Sequence, residues 1–305
     1  INVKPKDIIL EPFSRNTAPA ILLAALRASE ENELNNLLVL SSDHIVRNEE
    51  QFSKAIENSI KYSNQGKIVL FGVIPNRAEV GYGYIEVNKK PALEKLEAQK
   101  IRNFVEKPNK DVANKFLKDG KYLWNSGIFI FNASTIIQEM NKYSKEIFEK
   151  VKKSYNKKTK DLDFIRIEEN NFKNCESISI DNAIMEKTQL GVVLPLDPGW
   201  SDIGNWESLW ENEKKDDLGN VIKGKVFNEG SSDCYIKSEN SLLVTLGLKD
   251  LVLVETSDAI LAANKNELNK IKTVLDKLDK KGYKEVNTHR KIYRPWGSYT
   301  SLIQN

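Results

Sequence analysis

The sequence predicts an α/β domain built on a mostly parallel sheet, followed by a small β domain and a closing helix. Three observations predict it. Up to about residue 217, short apolar runs alternate with helical patterns, the signature of parallel strands joined by crossover helices. Beyond that point closely spaced β-like runs follow one another with small turns between them. Near the end, Leu268, Ile271, Val274, Leu275 and Leu278 recur at helical spacing, which makes residues 266–281 an amphipathic closing helix.

Taken in order, residues 17–28 are rich in Ala and Leu, with Thr17 able to cap and Pro19 in the first turn, where proline is tolerated. Residues 37–40 are unbroken apolar and read as a buried parallel strand that delivers Ser41, Ser42, Asp43 and His44 at its carboxyl end. Phe52, Ile56 and Ile60 then recur every four residues until Gly66 stops the helix, and 68–73 resumes a strand, completing a βαβ unit. Further strands are expected at 102–105, 127–131 and 191–196, with one helix over 134–155 whose lysines form a solvated face. In the β domain the runs are 221–222, 234–236, 242–246, 251–254 and 259–262. The expected boundaries are 1–217 for the first domain, 218–290 for the β domain with its helix, and 291–305 for a further segment.

Composition narrows the function. The 305 residues carry 46 Lys+Arg against 43 Asp+Glu, with 40% hydrophobic and 29% charged residues, as in an ordinary soluble enzyme rather than a disordered chain. A net charge of +3, evenly mixed, argues against a nucleic-acid groove and for small-molecule partners. No run of about eighteen apolar residues exists to span a bilayer. Cys175 and Cys234 show no ligand or CxxC spacing, which fits two structural thiols in a reducing, cytoplasmic setting. The first seven residues lack signal-peptide features, and an opening Ile instead of Met suggests a start other than the native one. With only His44 and His289, a histidine-rich zinc site cannot be assembled. His44 adjoins Ser42 and Asp43, but neighbours on an extended strand point opposite ways, so a hydrolase triad is disfavoured.

In open parallel sheets, ligands sit beyond the carboxyl ends of strands. Asp43 and Asp202 both follow apolar runs, and two such carboxylates can hold one Mg²⁺; the alternative is that each caps a turn. Glu106 and Lys107 end a strand, placing a carboxylate and an ammonium where a sugar and a phosphate can be met, although a surface ion pair is the default. Gly81-Tyr82-Gly83-Tyr84 either lets a ligand approach the backbone or marks a turn. Asn125, just ahead of an apolar strand, can reach sugar hydroxyls or serve in structural pairing.

Glu11-Pro12, Arg15-Asn-Thr-Ala-Pro-Ala-Ile21, Ser42-Asp-His-Ile-Val46, Gly81-Tyr-Gly-Tyr-Ile85, Phe104-Val-Glu-Lys-Pro108, Trp124-Asn-Ser-Gly-Ile-Phe129, Ser179-Ile-Asp-Asn-Ala-Ile-Met-Glu-Lys187 and Pro198-Gly-Trp-Ser-Asp-Ile-Gly-Asn-Trp206 occur in the order expected of bacterial mannose-1-phosphate guanylyltransferases. The chain resembles that family over nearly its whole length. The resemblance implies a Rossmann-like nucleotidyltransferase that makes GDP-mannose and pyrophosphate from GTP and mannose 1-phosphate, with Mg²⁺ as cofactor. It also implies that Asp43 and Asp202 hold the metal, with Lys107 beside them in catalysis. Gly83, Glu106, Lys107 and Asn125 look like the sugar-phosphate side. Arg15, Asn16 and Thr17 lie beside the base, and Asp181 joins the substrate-binding set. The β domain resembles a short left-handed β-helix used in dimer contacts, which implies a homodimer. Glu11 can supply a carboxylate that accepts from guanine N1–H and the exocyclic amine, or it is a solvated turn residue.

Nothing in the chain matches the family's opening strand and Gly-rich loop, so an N-terminally truncated chain, inactive by itself, is expected. Tyr293-Arg-Pro-Trp-Gly-Ser-Tyr299 resembles the segment that opens a cupin-type region in members that also interconvert mannose 6-phosphate and fructose 6-phosphate. The competing readings are a non-catalytic regulatory or sugar-nucleotide-sensing relative, and a transferase for another sugar or base.

Overall fold

The structure, a computed structural model, describes residues 4–93, 96–287, 291–294 and 297–300, the last two stretches as backbone. It divides into two compact units, Ile1–Trp200 and Ser201–Asn305.

The first unit is organised by Tyr122–Asn132, an eleven-residue strand. In the seven-stranded sheet the order is Gln99–Lys100, Gly191–Leu196, Ile68–Val73, Tyr122–Asn132, Tyr84–Glu86 and Asn103–Val105, and Asn36–Val39 also pairs with Tyr122–Asn132. Ile68–Val73 is buried throughout. Its Ile68 and Leu70 enter one core with Leu22, Phe131, Met140 and Phe172, while Val69, Phe71 and Val73 enter another with Ala55, Trp124 and Leu194. Alternation along a strand sends successive side chains to opposite faces, so both faces of this sheet are covered.

The α/β class holds, but the expected parallel preponderance does not. Among the described residues only Gly191–Leu196 with Ile68–Val73 is parallel; the other pairings of this sheet are antiparallel. Tyr122–Asn132 pairs with three strands and runs against each, which sets most of the sheet's ladders. The 37–40 run is accordingly corrected: Asn36–Val39 is antiparallel to Tyr122–Asn132, with Val39 opposite Phe129, and only partly buried. An apolar run identifies a strand but carries no information about its direction.

Thr17–Ser29 buries Ala18, Ile21, Leu22, Ala25 and Leu26. The expected helix over 134–155 is two helices, Ala133–Tyr143 and Lys145–Asn156, separated at Ser144, where φ is −141° and the hydroxyl donates to the Ala183 carbonyl at 3.1 Å. Glu49–Ser63 starts at Asn48, whose side chain accepts from the Gln51 N–H at 2.9 Å.

In the second unit Val221–Glu229 pairs in parallel with Tyr235–Leu246, and that strand pairs in parallel with Leu251–Glu255; Ile260–Asn264 closes the sheet antiparallel. Successive parallel strands joined by short turns are the rungs of a β-helix. Buried Asn220 fastens one such turn, with its side chain donating to the Ser231 carbonyl at 2.8 Å and accepting from the Cys234 N–H at 2.9 Å. The closing helix begins as a 3₁₀ segment, Lys265–Lys270, and continues as Ile271–Lys280. Both cysteines are buried free thiols, and burial pushes Cys175 up to about 11. No helix among the described residues is long and apolar enough to cross a membrane. Lys291–Arg294 pairs antiparallel with Gly297–Thr300. His289, Pro295, Trp296 and residues 301–305 lie outside the described residues.

Candidate active site

Strand register alone assembles the centre of the site. Tyr84 lies opposite Val105 on one side and Trp124 on the other, both in antiparallel ladders. One step further along, Gly83 therefore falls between Glu106 and Asn125. The Gly83 carbonyl accepts from the Asn125 N–H at 2.8 Å. A Cβ built on Gly83 would lie 2.7 Å from Glu106 Oε2, 3.1 Å from Phe104 Cζ and 3.4 Å from Asn125 Cβ. Glycine suits this close approach, since a side chain would displace the carboxylate beside it.

Both ends of the Asn125 amide are engaged. Its Oδ1 accepts from the Gly127 N–H at 3.0 Å, and its Nδ2 donates to Asp181 Oδ1 at 2.9 Å. Asp181 opens the π-helical turn Asp181–Met185. Burial pushes its carboxyl up to about 6, the charges of Glu106 and Glu186 add to the rise, and the Asn125 hydrogen bond opposes it. The Lys107 ammonium is 3.0 Å from Glu106 Oε1, so the ion pair expected by default is present. Lys107 also adopts a left-handed backbone at φ +43°, which turns the chain sharply after the strand.

The Arg15-Asn16-Thr17 turn abuts the same region. Thr17 Oγ1 accepts from the Ile180 N–H at 2.9 Å, and Ala18 N–H donates to the Ile178 carbonyl at 3.2 Å. Asn16, at φ +66°, caps the helix by accepting from the Thr17 N–H at 2.8 Å. The Arg15 guanidinium donates to the Lys173 carbonyl and lies 5.6 Å from the Phe13 ring centroid. Glu11 follows the strand Ile8–Leu10, which pairs in parallel with Phe164–Arg166. Glu11 is exposed, yet the protein atoms around it withdraw enough water to raise its carboxyl above the usual range.

Gly83, Glu106, Lys107, Asn125 and Asp181 thus form one cluster, which Thr17 joins through Ile180. Asp43 belongs to the first unit and Asp202 to the second. Asp43 occupies an exposed turn. Asp202 Oδ1 accepts from the Gly204 N–H at 3.0 Å, the turn role weighed as its alternative. Among the described residues no group of three or more His, Cys, Asp or Glu side chains could enclose a metal ion. Each carboxylate offers hard oxygen donors of the kind Mg²⁺ takes.

An aromatic cluster went unnoticed in the sequence. Tyr82 packs edge-on against Trp124 at 5.2 Å and is 5.3 Å from Trp200; Trp200 in turn donates its indole N–H to His44 Nδ1 at 3.3 Å. The one signal was that each of these residues sits inside a different motif.

Residues 2–218 match the family described as nucleotidyl transferase. The chain belongs to that family. Residues 224–278 match a MannoseP isomerase/GMP-like beta-helix domain, in keeping with the parallel rungs. The mannose-1-phosphate guanylyltransferase of Salmonella montevideo is 46% identical over 301 residues, covering 97% of this chain and 63% of that protein. That of Escherichia coli strain K12 is 42% identical over 305 residues, covering 99% and 64%. The chain therefore spans just under two thirds of the length of these relatives. A solved structure described as a mannose-1-phosphate geranyltransferase, from Thermus thermophilus, superposes with a TM-score of 0.75 at 27% identity, covering 88% of this chain and 77% of that one.

Proposed function

We propose that this nucleotidyl transferase family member is a mannose-1-phosphate guanylyltransferase, joining GTP and mannose 1-phosphate into GDP-mannose and releasing pyrophosphate. The observation that carries the reading is Gly83 packed between Glu106 and Asn125, which brings a carboxylate acceptor and an amide, two groups suited to hydroxyls, to one short stretch of backbone. The curated relatives' names support the choice of sugar and base. We assign the reaction to residues 1–217, supported by the family match to 2–218.

In the reaction a phosphate oxygen of mannose 1-phosphate attacks the α-phosphorus of GTP. The bond from that phosphorus to the bridging oxygen breaks, and pyrophosphate leaves with the electron pair. The attacking phosphate is already ionised, so no general base is needed. The difficulty is electrostatic: unit charges 4 Å apart repel by about 4 kcal/mol at an effective dielectric near 20. Catalysis is positioning plus neutralisation.

Glu106 accepts from sugar hydroxyls, Asn125 and the backbone at Gly83 fix the hexose, and the Lys107 ammonium meets the sugar's phosphate. Arg15, Asn16 and Thr17 lie beside the guanine, and Glu11 accepts from its N1–H and amine. Asp43 and Asp202 would hold Mg²⁺, which supplies positive charge against the phosphates when bound. A cytoplasmic location is supported by the two buried free thiols. Homodimer formation through the β domain completes the reading.

The test is product analysis with the native protein, GTP, mannose 1-phosphate and Mg²⁺, alongside other nucleoside triphosphates and hexose 1-phosphates. GDP-mannose and pyrophosphate in equal amounts are expected. Turnover confined to another sugar or base would replace the substrate assignment, and binding without turnover would identify a sensing relative.

A further inference from the structure

Asn125 is the one group of the sugar-side cluster whose function depends on which way round it sits. An amide presents an acceptor at one end and donors at the other, and rotating it by half a turn exchanges them. In this structure one end faces a donor, the Gly127 N–H at 3.0 Å, and the other faces an acceptor, Asp181 Oδ1 at 2.9 Å. The Asn125 backbone is held as well, through its bond to the Gly83 carbonyl at 2.8 Å. The orientation of the amide is therefore set by two flanking groups, neither of which is an exposed solvent contact.

We propose that Asp181 is a positioning residue that acts through Asn125, its ionised carboxylate locking the amide in the orientation that the sugar meets. This rests on the reading of Asn125 as a sugar-side group and deepens it. The physical ground is that an ionised carboxylate can only accept. If the amide turned round, its oxygen would face that carboxylate and its NH₂ would face the Gly127 N–H, so both contacts would become repulsive. Protonation of Asp181 removes half of this discrimination, because a carboxylic acid can donate to the turned amide as readily as it accepts from the unturned one. The charged groups that bear on Asp181 are Glu106, from the loop after Asn103–Val105, and Glu186, from its own turn; both are negative and both favour its protonation. Lys107 beside Glu106 partly offsets that negative charge. The lock is thus set in the middle of a carboxylate group whose charge it shares.

Asp181→Asn is the informative variant, because it keeps the size of the side chain while offering both a donor and an acceptor, as the protonated acid does. Steady-state kinetics of the native protein and the variant are measured from pH 5 to pH 8, with thermal melts to show that both are folded. The variant is expected to raise KM for mannose 1-phosphate by roughly tenfold at pH 8, the difference between a charge-assisted and a neutral hydrogen bond, while KM for GTP stays within about twofold. The parent's kcat/KM for the sugar phosphate should show an ionisation near 6 that the variant lacks. Mannose 1-phosphate itself ionises in this range, so the signature is the difference between the two proteins.

Unchanged KM for the sugar phosphate and an unchanged pH profile in Asp181→Asn would overturn the proposal, as would equal rises in both KM values, which mark a merely structural residue. Asn125→Ala separates the two levels of the argument. If it leaves KM for mannose 1-phosphate unaltered, the sugar-side reading of Asn125 fails and the lock falls with it. If it raises that KM while Asp181→Asn does not, only the lock fails.

Discussion

Gly83 and Glu106 lie so close across their ladder that a single added carbon on the glycine would come within 2.7 Å of the carboxylate. The next nearest atoms, Phe104 Cζ at 3.1 Å and Asn125 Cβ at 3.4 Å, close the other directions. Gly83→Ala therefore has to push Glu106 aside. The expected result is a rise in KM for mannose 1-phosphate of roughly tenfold or more, the cost of one misplaced charge-assisted hydrogen bond, with KM for GTP little changed. Kinetics with each substrate varied in turn check it.

Lys107→Ala should separate function from stability. The Lys107–Glu106 pair is largely solvent-exposed at the lysine, and exposed pairs contribute only about 0–1 kcal/mol. Both side chains carry a Cβ, so the left-handed backbone at Lys107 is no worse in the variant. A melting temperature near that of the parent is expected, with use of mannose 1-phosphate weakened much more than GTP binding. Loss of GTP affinity with acceptor affinity intact would contradict the assignment.

Asp181 links the site to stability through pH. Its carboxyl is raised to about 6 in the folded protein, against about 3.9 unfolded. A raised carboxyl contributes stability that is complete below the unfolded value and is lost as pH rises through the folded value. Asp181→Asn escapes that loss, so the variant should gain stability relative to the parent between pH 4 and pH 7, by roughly 1–3 kcal/mol. Denaturant melts at several pH values measure the difference, and a constant difference would contradict it.

Asp43→Asn and Asp202→Asn, each made separately, should remove most magnesium-dependent turnover while leaving the fold intact. Asp202 keeps its turn in this variant, because an Asn side-chain oxygen accepts from the Gly204 N–H equally well. Magnesium titrations of turnover, with circular dichroism as the control for folding, decide it. Near-parental dependence in both variants would remove these residues from the metal site.

Glu11→Gln addresses the base. Losing a bidentate contact to guanine should lower GTP use by roughly one to two orders of magnitude and narrow the preference over ATP. Rates with both nucleotides test this, and an unchanged ratio would return Glu11 to a turn residue.

The strands Ile68–Val73, Asn103–Val105 and Gly191–Leu196 were legible as apolar runs, and Glu106 and Lys107 as polar residues at the end of one; Tyr84–Glu86 was not, and Asn125, expected ahead of a strand at 127–131, lies within Tyr122–Asn132. The direction of Asn36–Val39 was not legible, since an apolar run reads the same in either orientation and only the partner, Tyr122–Asn132, settles it. Helical spacing continued through Ser144, and the break there goes with a hydroxyl bond to Ala183, a contact 39 positions away. The resemblance placed Asp181 with the substrate-binding residues, but its link to Asn125 was hidden for the same reason. Its value lies in a bond to Asn125, 56 positions distant, which no local pattern records. The meeting of Tyr82, Trp124 and Trp200 is a property of tertiary packing alone.

The most direct measurement is a crystal structure of the native protein with GDP-mannose bound. The hexose is expected beside Gly83, with hydroxyl groups within hydrogen-bonding distance of the Glu106 carboxylate and the Asn125 amide, and with Asn125 Nδ2 still donating to Asp181. A hexose bound elsewhere, touching none of these residues, would contradict the account.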